Sequence, residues 1–191
     1  SVIMSVYNDA DNLTYSINSI MNQDFKDFEF LIMNDGSTDE SSDILDSYSS
    51  DKRIKLFKNK ENIGLTKSLN MLLNESKGTY IARQDSDHMS LYSRFSKQLS
   101  YLKNKNLDIC GTRALIKGST RVTPNKSFYL PIRFTLKIKN PFIHGSLLVK
   151  KKTLESVNNY DERFIYSQDY KLVKDILYAG SSMGILREPL Y

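Results

Sequence analysis

The chain has 191 residues, 40% hydrophobic and 26% charged, with a formal net charge of +5. These proportions supply one sizeable core and exclude a disordered polyelectrolyte, and no run reaches the roughly 18 apolar residues that a membrane span needs. Cys110 is the single cysteine, which excludes an internal disulfide and fits a reducing cytoplasm; within Leu107-Asp-Ile-Cys-Gly111 it is expected to be a buried small hydrophobe.

The predicted elements alternate in chain order. Val2–Val6 reads as a short apolar strand already under way at residue 1, with no charged leader before it. A helix is expected from about Asp11 to Asn22, with Leu13, Ile17, Ile20 and Met21 on one face. Phe28–Met33 predicts a second strand, followed by a helix from Thr38 to about Tyr48 capped by Ser37 or Thr38. Arg53–Phe57 predicts a third strand before a helix from Leu65 to about Asn74. Thr79–Ala82 predicts a fourth, before a helix from Leu91 to Lys103. Four consecutive strand–helix units predict an α/β fold with a doubly wound, mostly parallel sheet flanked by helices. The second half is less regular. Leu107–Thr112 and Gly145–Val149 read as strands and Gln168 to Ala179 as a helix, while residues 117–140 show no clear period. The chain stops abruptly at Pro189-Leu-Tyr191, so an excerpt of a longer protein is expected.

Charge is spread unevenly. Residues 1–99 carry 11 basic and 15 acidic side chains, whereas residues 100–191 carry 16 and 7. No acid lies between Ile109 and Leu154, a stretch with ten Lys and Arg residues. A solvated basic face accounts for this, and so does a surface that meets anionic lipid or a phosphorylated acceptor. Nucleic acid is not expected as a partner, because no recognition helix or aromatic-interleaved motif accompanies the charge.

In an open parallel sheet, ligands bind beyond the carboxyl ends of the strands. Three of the four predicted strands end there in polar, acid-bearing turns: Tyr7-Asn8-Asp9, Asn34-Asp-Gly-Ser-Thr-Asp39 and Arg83-Gln-Asp-Ser-Asp87-His88, with Asn62-Ile-Gly64 after the other. Any one of these turns could be a helix cap. Asp85 and Asp87, two residues apart at a strand end, can face one site and hold a hard divalent cation such as Mg²⁺ or Mn²⁺. The glycine-rich phosphate loops of other nucleotide-binding folds are absent.

This ordered set of motifs, completed by Gln168-Asp169, resembles the family 2 glycosyltransferases of the GT-A fold, in particular bacterial members that build capsule, exopolysaccharide and lipopolysaccharide. The resemblance implies one GT-A catalytic domain over residues 1–191, with a Rossmann-like nucleotide-sugar half at 1–104 and an acceptor-side half at 105–191. It implies a nucleoside diphosphate sugar donor, most simply UDP-linked. Tyr7 would pack on the base and Asp35 would accept its hydrogen bond. Arg83 and Asp85 would contact the donor, and Asp87, with Asp85, would serve the metal. Asp169 falls where the family places its catalytic base, although Gln168 stands where an acid is usual and His88 where a further Asp is frequent. His144, in Asn140-Pro-Phe-Ile-His-Gly145, resembles a segment bordering the acceptor site. The expected acceptor is a glycan or lipid-linked glycan, with the chain cytoplasmic and peripheral at the inner face of the membrane.

The chemistry agrees with that assignment. A divalent cation offsets the charge on a departing nucleoside diphosphate, so one base for the acceptor hydroxyl is enough for an inverting displacement. Two other functions compete. A sugar nucleotidylyltransferase would want a glycine-rich, arginine-bearing loop after the first strand, where this chain has Tyr7-Asn8-Asp9-Ala10. A non-catalytic nucleotide-sugar-binding module is opposed only by Asp169 and the metal motif together.

Overall fold

Alternation along the first strands decides which side chains face which layer. In the computed structural model, which describes residues 1–191, β1 (Val2–Val6) and β2 (Phe30–Asn34) lie parallel, with Val2 opposite Phe30 and Val6 opposite Asn34. Both strands are buried throughout. Val2, Met4, Val6, Phe30 and Ile32 point into one core cluster, whereas Ile3, Leu31 and Met33 point into the other. The period of two thus divides nearly continuous apolar runs between two layers of helices, as expected for a sheet covered on both faces.

One layer is supplied by α1 (Ala10–Met21), α2 (Ser41–Ser47) and α4 (Arg94–Asn104), whose Leu13, Ile17, Ile20, Leu45, Phe95 and Leu102 join the first cluster. The other is supplied by α3 (Leu65–Glu75), α6 (Lys151–Ser156) and α7 (Gln168–Tyr178). Their Leu69, Leu72, Leu154, Leu172, Val173 and Ile176 join the second cluster.

The remaining strands are β3 (Ile54–Lys58), β4 (Tyr80–Arg83), β5 (Ile109–Leu115), β6 (Val122–Thr123), β7 (Leu148–Lys150) and β8 (Met183–Pro189). They pair in the order β3-β2-β1-β4-β7-β5-β6, with β8 beside β5. β1 to β4 are mutually parallel, β7 runs against β4 and β5, and β8 is parallel to β5. The chain moves outward from β1 to β2 and β3, then returns to place β4 on β1's other side. The switch point therefore falls between the carboxyl ends of β1 and β4, where this class of sheet opens a crevice.

Several boundaries differ from the sequence expectation. The second helix starts at Ser41 rather than Thr38, because the residues read as its cap bond elsewhere. Thr38 N–H donates to Asn8 Oδ1 at 2.8 Å, and Asn8 N–H donates to Ser37 Oγ at 3.1 Å, which ties the first two loops together. His144–Ser146 forms a 3₁₀ turn and the strand begins at Leu148, later than Gly145. Residues 117–140 hold β6, a 3₁₀ turn and the short α5 (Ile132–Thr135). The helix α6 and the strand β8 were not anticipated. Cys110 is buried as expected, and burial pushes its thiol up to about 12.

Candidate functional site

The turns expected to carry chemistry do converge at the switch point. Asp35, just past β2, is 2% exposed. Its Oδ1 accepts from Asn59 Nδ2 (2.8 Å) and Ile63 N (3.0 Å), and its Oδ2 from Gly64 N (2.9 Å). Gly64 has φ +94°, a conformation glycine adopts without a Cβ clash, and this turns its N–H toward the carboxylate at the start of α3. Asp35 is therefore a fixed hydrogen-bond acceptor joining two loops, with one lone-pair position on Oδ2 left for a ligand donor. Tyr7, at the end of β1, is about half exposed on the same edge and free to stack.

β4 delivers the densest polar cluster. Arg83 is 3% exposed, and its Nη2 pairs with Asp85 Oδ1 at 2.8 Å, while its Nε and Nη1 are buried without a partner. Burial alone would push the Asp85 carboxyl up, but Arg83, with His144, His88 and the Tyr191 hydroxyl, more than reverses this and holds it below the usual carboxylate range. Asp87 is more than half exposed and pairs with His88 Nδ1 at 2.6 Å. No three His, Cys, Asp or Glu side chains converge into a self-sufficient metal cage. The donor set instead suits a hard cation that takes one or two carboxylates and completes its shell with water and phosphate oxygens, as Mg²⁺ and Mn²⁺ do.

Three residues that local sequence reading missed hold this loop. Gln84, fully buried, donates to Ser16 Oγ, Asp85 O and His88 O. Arg94, also fully buried, donates from Nη1 to Gln84 Oε1 (3.0 Å) and Ser90 Oγ (2.7 Å), and from Nη2 to Arg83 O (2.8 Å). Tyr191 follows β8. Its hydroxyl accepts from Asp85 N (3.1 Å) and donates to Asp85 Oδ2 (3.2 Å), while its ring stacks on His88 at 5.2 Å. Gln84 reaches Ser16 and Tyr191 reaches Asp85 from distant segments, and Arg94 reaches back past Ser90 to Gln84 and Arg83, so no local pattern announces these roles.

Gly145 makes the approach possible, since a Cβ there would overlap both the Tyr191 hydroxyl and Asp85 Oδ2. Gly145→Ala is expected to displace Asp85, lower stability by about 1–3 kcal/mol and weaken metal-dependent UDP binding. Titration calorimetry and thermal unfolding check this, and parent-like values for both would show that the gap is not required.

Across the cluster, His144 Nε2 and the Tyr160 hydroxyl share a hydrogen bond of 2.7 Å. Burial, then Arg83, pushes His144 down to about 4 against the pull of Asp85 and Asp169, so the imidazole is neutral at pH 7. Asp169 lies in the first turn of α7, after Ser167 in the left-handed region at φ +56°. Asn140 Nδ2 donates to Asp169 Oδ2 at 2.8 Å, and no protein donor occupies Oδ1. Arg83, Asp85, His144 and Asp169 thus share one electrostatic neighbourhood, while Tyr7 and Asp35 lie on the adjoining loops of the same edge.

Comparison with known proteins shows the family and the fold. A family model described as glycosyl transferase family 2 matches residues 1–172. EpsE of Bacillus subtilis is 34% identical over 169 residues, covering 84% of this chain and 59% of its own. The Escherichia coli protein WfaP, a UDP-Glc:α-D-GlcNAc-diphosphoundecaprenol β-1,3-glucosyltransferase, is 28% identical over 180 residues, covering 94% and 70%. Among solved structures, Staphylococcus aureus TarS 1–349 in complex with UDP superposes with a TM-score of 0.83 at 21% identity, covering 100% of this chain and 58% of that one. The mannosyltransferase PcManGT of Pyrobaculum calidifontis, in complex with GDP-Man and Mn²⁺, gives a TM-score of 0.78 at 16% identity, covering 98% and 54%. The chain spans about three fifths of the length of EpsE.

Proposed function

The chain belongs to glycosyltransferase family 2, and on that footing we propose that it is an inverting, Mn²⁺- or Mg²⁺-dependent enzyme that moves a hexosyl group from a UDP-sugar to a glycan hydroxyl. The observation that carries this reading is that the Arg83–Asp85 pair and Asp169, on separate elements, both act on the buried His144, with Asp87 two residues beyond Asp85. Tyr7 and Asp35 would hold the base, and Arg83 and Asp85 the ribose and diphosphate. Asp87, with Asp85, would hold the cation, which when bound offsets the negative charge of the leaving diphosphate.

Asp169 Oδ1 would take the proton of the acceptor hydroxyl as its oxygen attacks the anomeric carbon from the face opposite the diphosphate. Asn140 orients the carboxylate for that step. His144, neutral and anchored on Tyr160, would line the acceptor side. The reading draws support from the UDP bound to TarS, the Mn²⁺ bound to PcManGT and the UDP-Glc named for WfaP. The diphosphoundecaprenol acceptor of WfaP supports a lipid-linked glycan here, used at the cytoplasmic face of a membrane in surface polysaccharide synthesis.

Inversion can be checked without the natural acceptor. Slow hydrolysis of an α-linked UDP-hexose, followed by proton NMR before mutarotation, is expected to release the β-anomer first. Initial release of the α-anomer would contradict a single displacement.

A further inference from the structure

The acid-free stretch between Ile109 and Leu154 takes a definite shape in the structure. Arg133 and Lys137, one turn apart on and just after α5, face Lys174 and Tyr178 of α7 across a surface cavity of about 440 Å³ floored by Leu136 and Leu177. None of the three cations forms an ion pair. Beside this cavity Phe134 is 53% exposed and Ile138 is 72% exposed. Isolated exposed apolar residues are ordinary, but an exposed aromatic and an exposed β-branched side chain four residues apart, each next in sequence to one of these cations, form an amphipathic patch.

We propose that this face docks the chain on an anionic phospholipid bilayer, with a lipid phosphate seated among Arg133, Lys137 and Lys174 and with Phe134 and Ile138 entering the headgroup layer. Charge complementarity selects the occupant: the patch offers cations with no acid to repel a phosphate, and its apolar flank suits the acyl boundary of a bilayer. The position also suits the chemistry. Asn140 lies two residues beyond Ile138 and hydrogen-bonds Asp169, and the Tyr170 hydroxyl donates to Leu136 O at 2.6 Å. The docking segment is therefore tied to the element that carries the candidate base, so a membrane-held acceptor would be presented beside Asp169. The inference deepens the proposed lipid-linked acceptor and rests on that reading for its purpose.

Vesicle flotation tests it. At low salt the chain is expected to float with vesicles containing 30 mol% phosphatidylglycerol and to stay behind with pure phosphatidylcholine. Neutralising the cavity with Arg133→Gln, Lys137→Gln and Lys174→Gln should lower the partition coefficient on the order of 100-fold, at about 1 kcal/mol per cation near the surface. Phe134→Ser with Ile138→Ser should also weaken it. Lys52→Gln, Lys60→Gln and Lys67→Gln, an equal charge change on exposed residues of the first half, should leave partition nearly unchanged. Equal loss in both triple variants would reduce the effect to net charge and overturn the proposal, as would parent-like flotation of the cavity variant or indifference to lipid charge. UDP binding, measured on the same samples, keeps the two readings apart: a parent chain that binds UDP but does not float with anionic vesicles removes the docking face and leaves the donor site standing.

Discussion

Asp169→Asn is expected to lower kcat by about 10²–10⁴-fold, the range a positioned general base contributes. Metal-dependent UDP binding should stay within about twofold of the parent, since no proposed donor contact involves this residue. The isosteric amide can keep the hydrogen bond from Asn140 Nδ2, so the fold and the start of α7 should survive the change. What the amide lacks is an oxygen basic enough to take a proton, and Oδ1 is the oxygen that no protein donor occupies. Loss of turnover at constant donor affinity would mark an interaction made in the transition state. Unchanged turnover would remove Asp169 as the base. Equal loss of turnover and UDP binding would give it a structural role instead.

Arg94→Met has the largest expected effect on stability. The guanidinium is fully buried, its Cζ lies 5.1 Å from the Tyr191 ring centroid, and it satisfies acceptors on Gln84, Ser90, Arg83 and Gln98. Burial lowers it to about 10, so it stays charged near neutrality. Two effects oppose each other. Methionine relieves the desolvation of a buried charge, but it leaves several buried oxygens without their donor at about 1–3 kcal/mol each. The orphaned acceptors outnumber the single charge and no carboxylate is left unpaired, so a net loss of about 3 kcal/mol is expected. For a chain of this length that lowers the unfolding midpoint by roughly 6–12 °C. The same change releases the Asp85–Ser90 loop, so UDP affinity should fall with it. A parent-like midpoint would mean that Gln84 and Ser90 fix the loop without Arg94.

The first half of the fold was legible because it obeys local rules. Leu13, Ile17 and Ile20 repeat with helical spacing, and β1 and β2 are short, mostly apolar runs buried on both faces. β8 was illegible because Met183–Pro189 mixes Gly, Arg, Glu and Pro with its apolar residues, and only pairing with β5 makes it a strand. Ser37 and Thr38 misled for a related reason. They have the chemistry of helix caps, but bonds to Asn8 from a neighbouring loop use them first. At the site, motif residues at strand ends could be read directly, since the sheet alone brings Asp35, Arg83, Asp85 and Asp87 to one edge. Gln84, Arg94, Gly145 and Tyr191 could not, since each acts through a contact between distant segments. Asp169 could be placed in sequence only through the family resemblance. The structure adds its partner Asn140, whose own position depends on the irregular stretch before it.

The central claim is a metal-dependent site for a nucleoside diphosphate at the switch between β1 and β4. Its most direct test is thermal unfolding with UDP, GDP, dTDP or CDP, each with and without Mn²⁺. A ligand at about 100 times its dissociation constant adds roughly 2.7 kcal/mol, which for a chain of this size raises the midpoint by about 5–10 °C. The predicted result is a rise of that order for UDP with Mn²⁺ and little change for UDP alone. A midpoint that no diphosphate moves, or that UDP moves equally without metal, would contradict it.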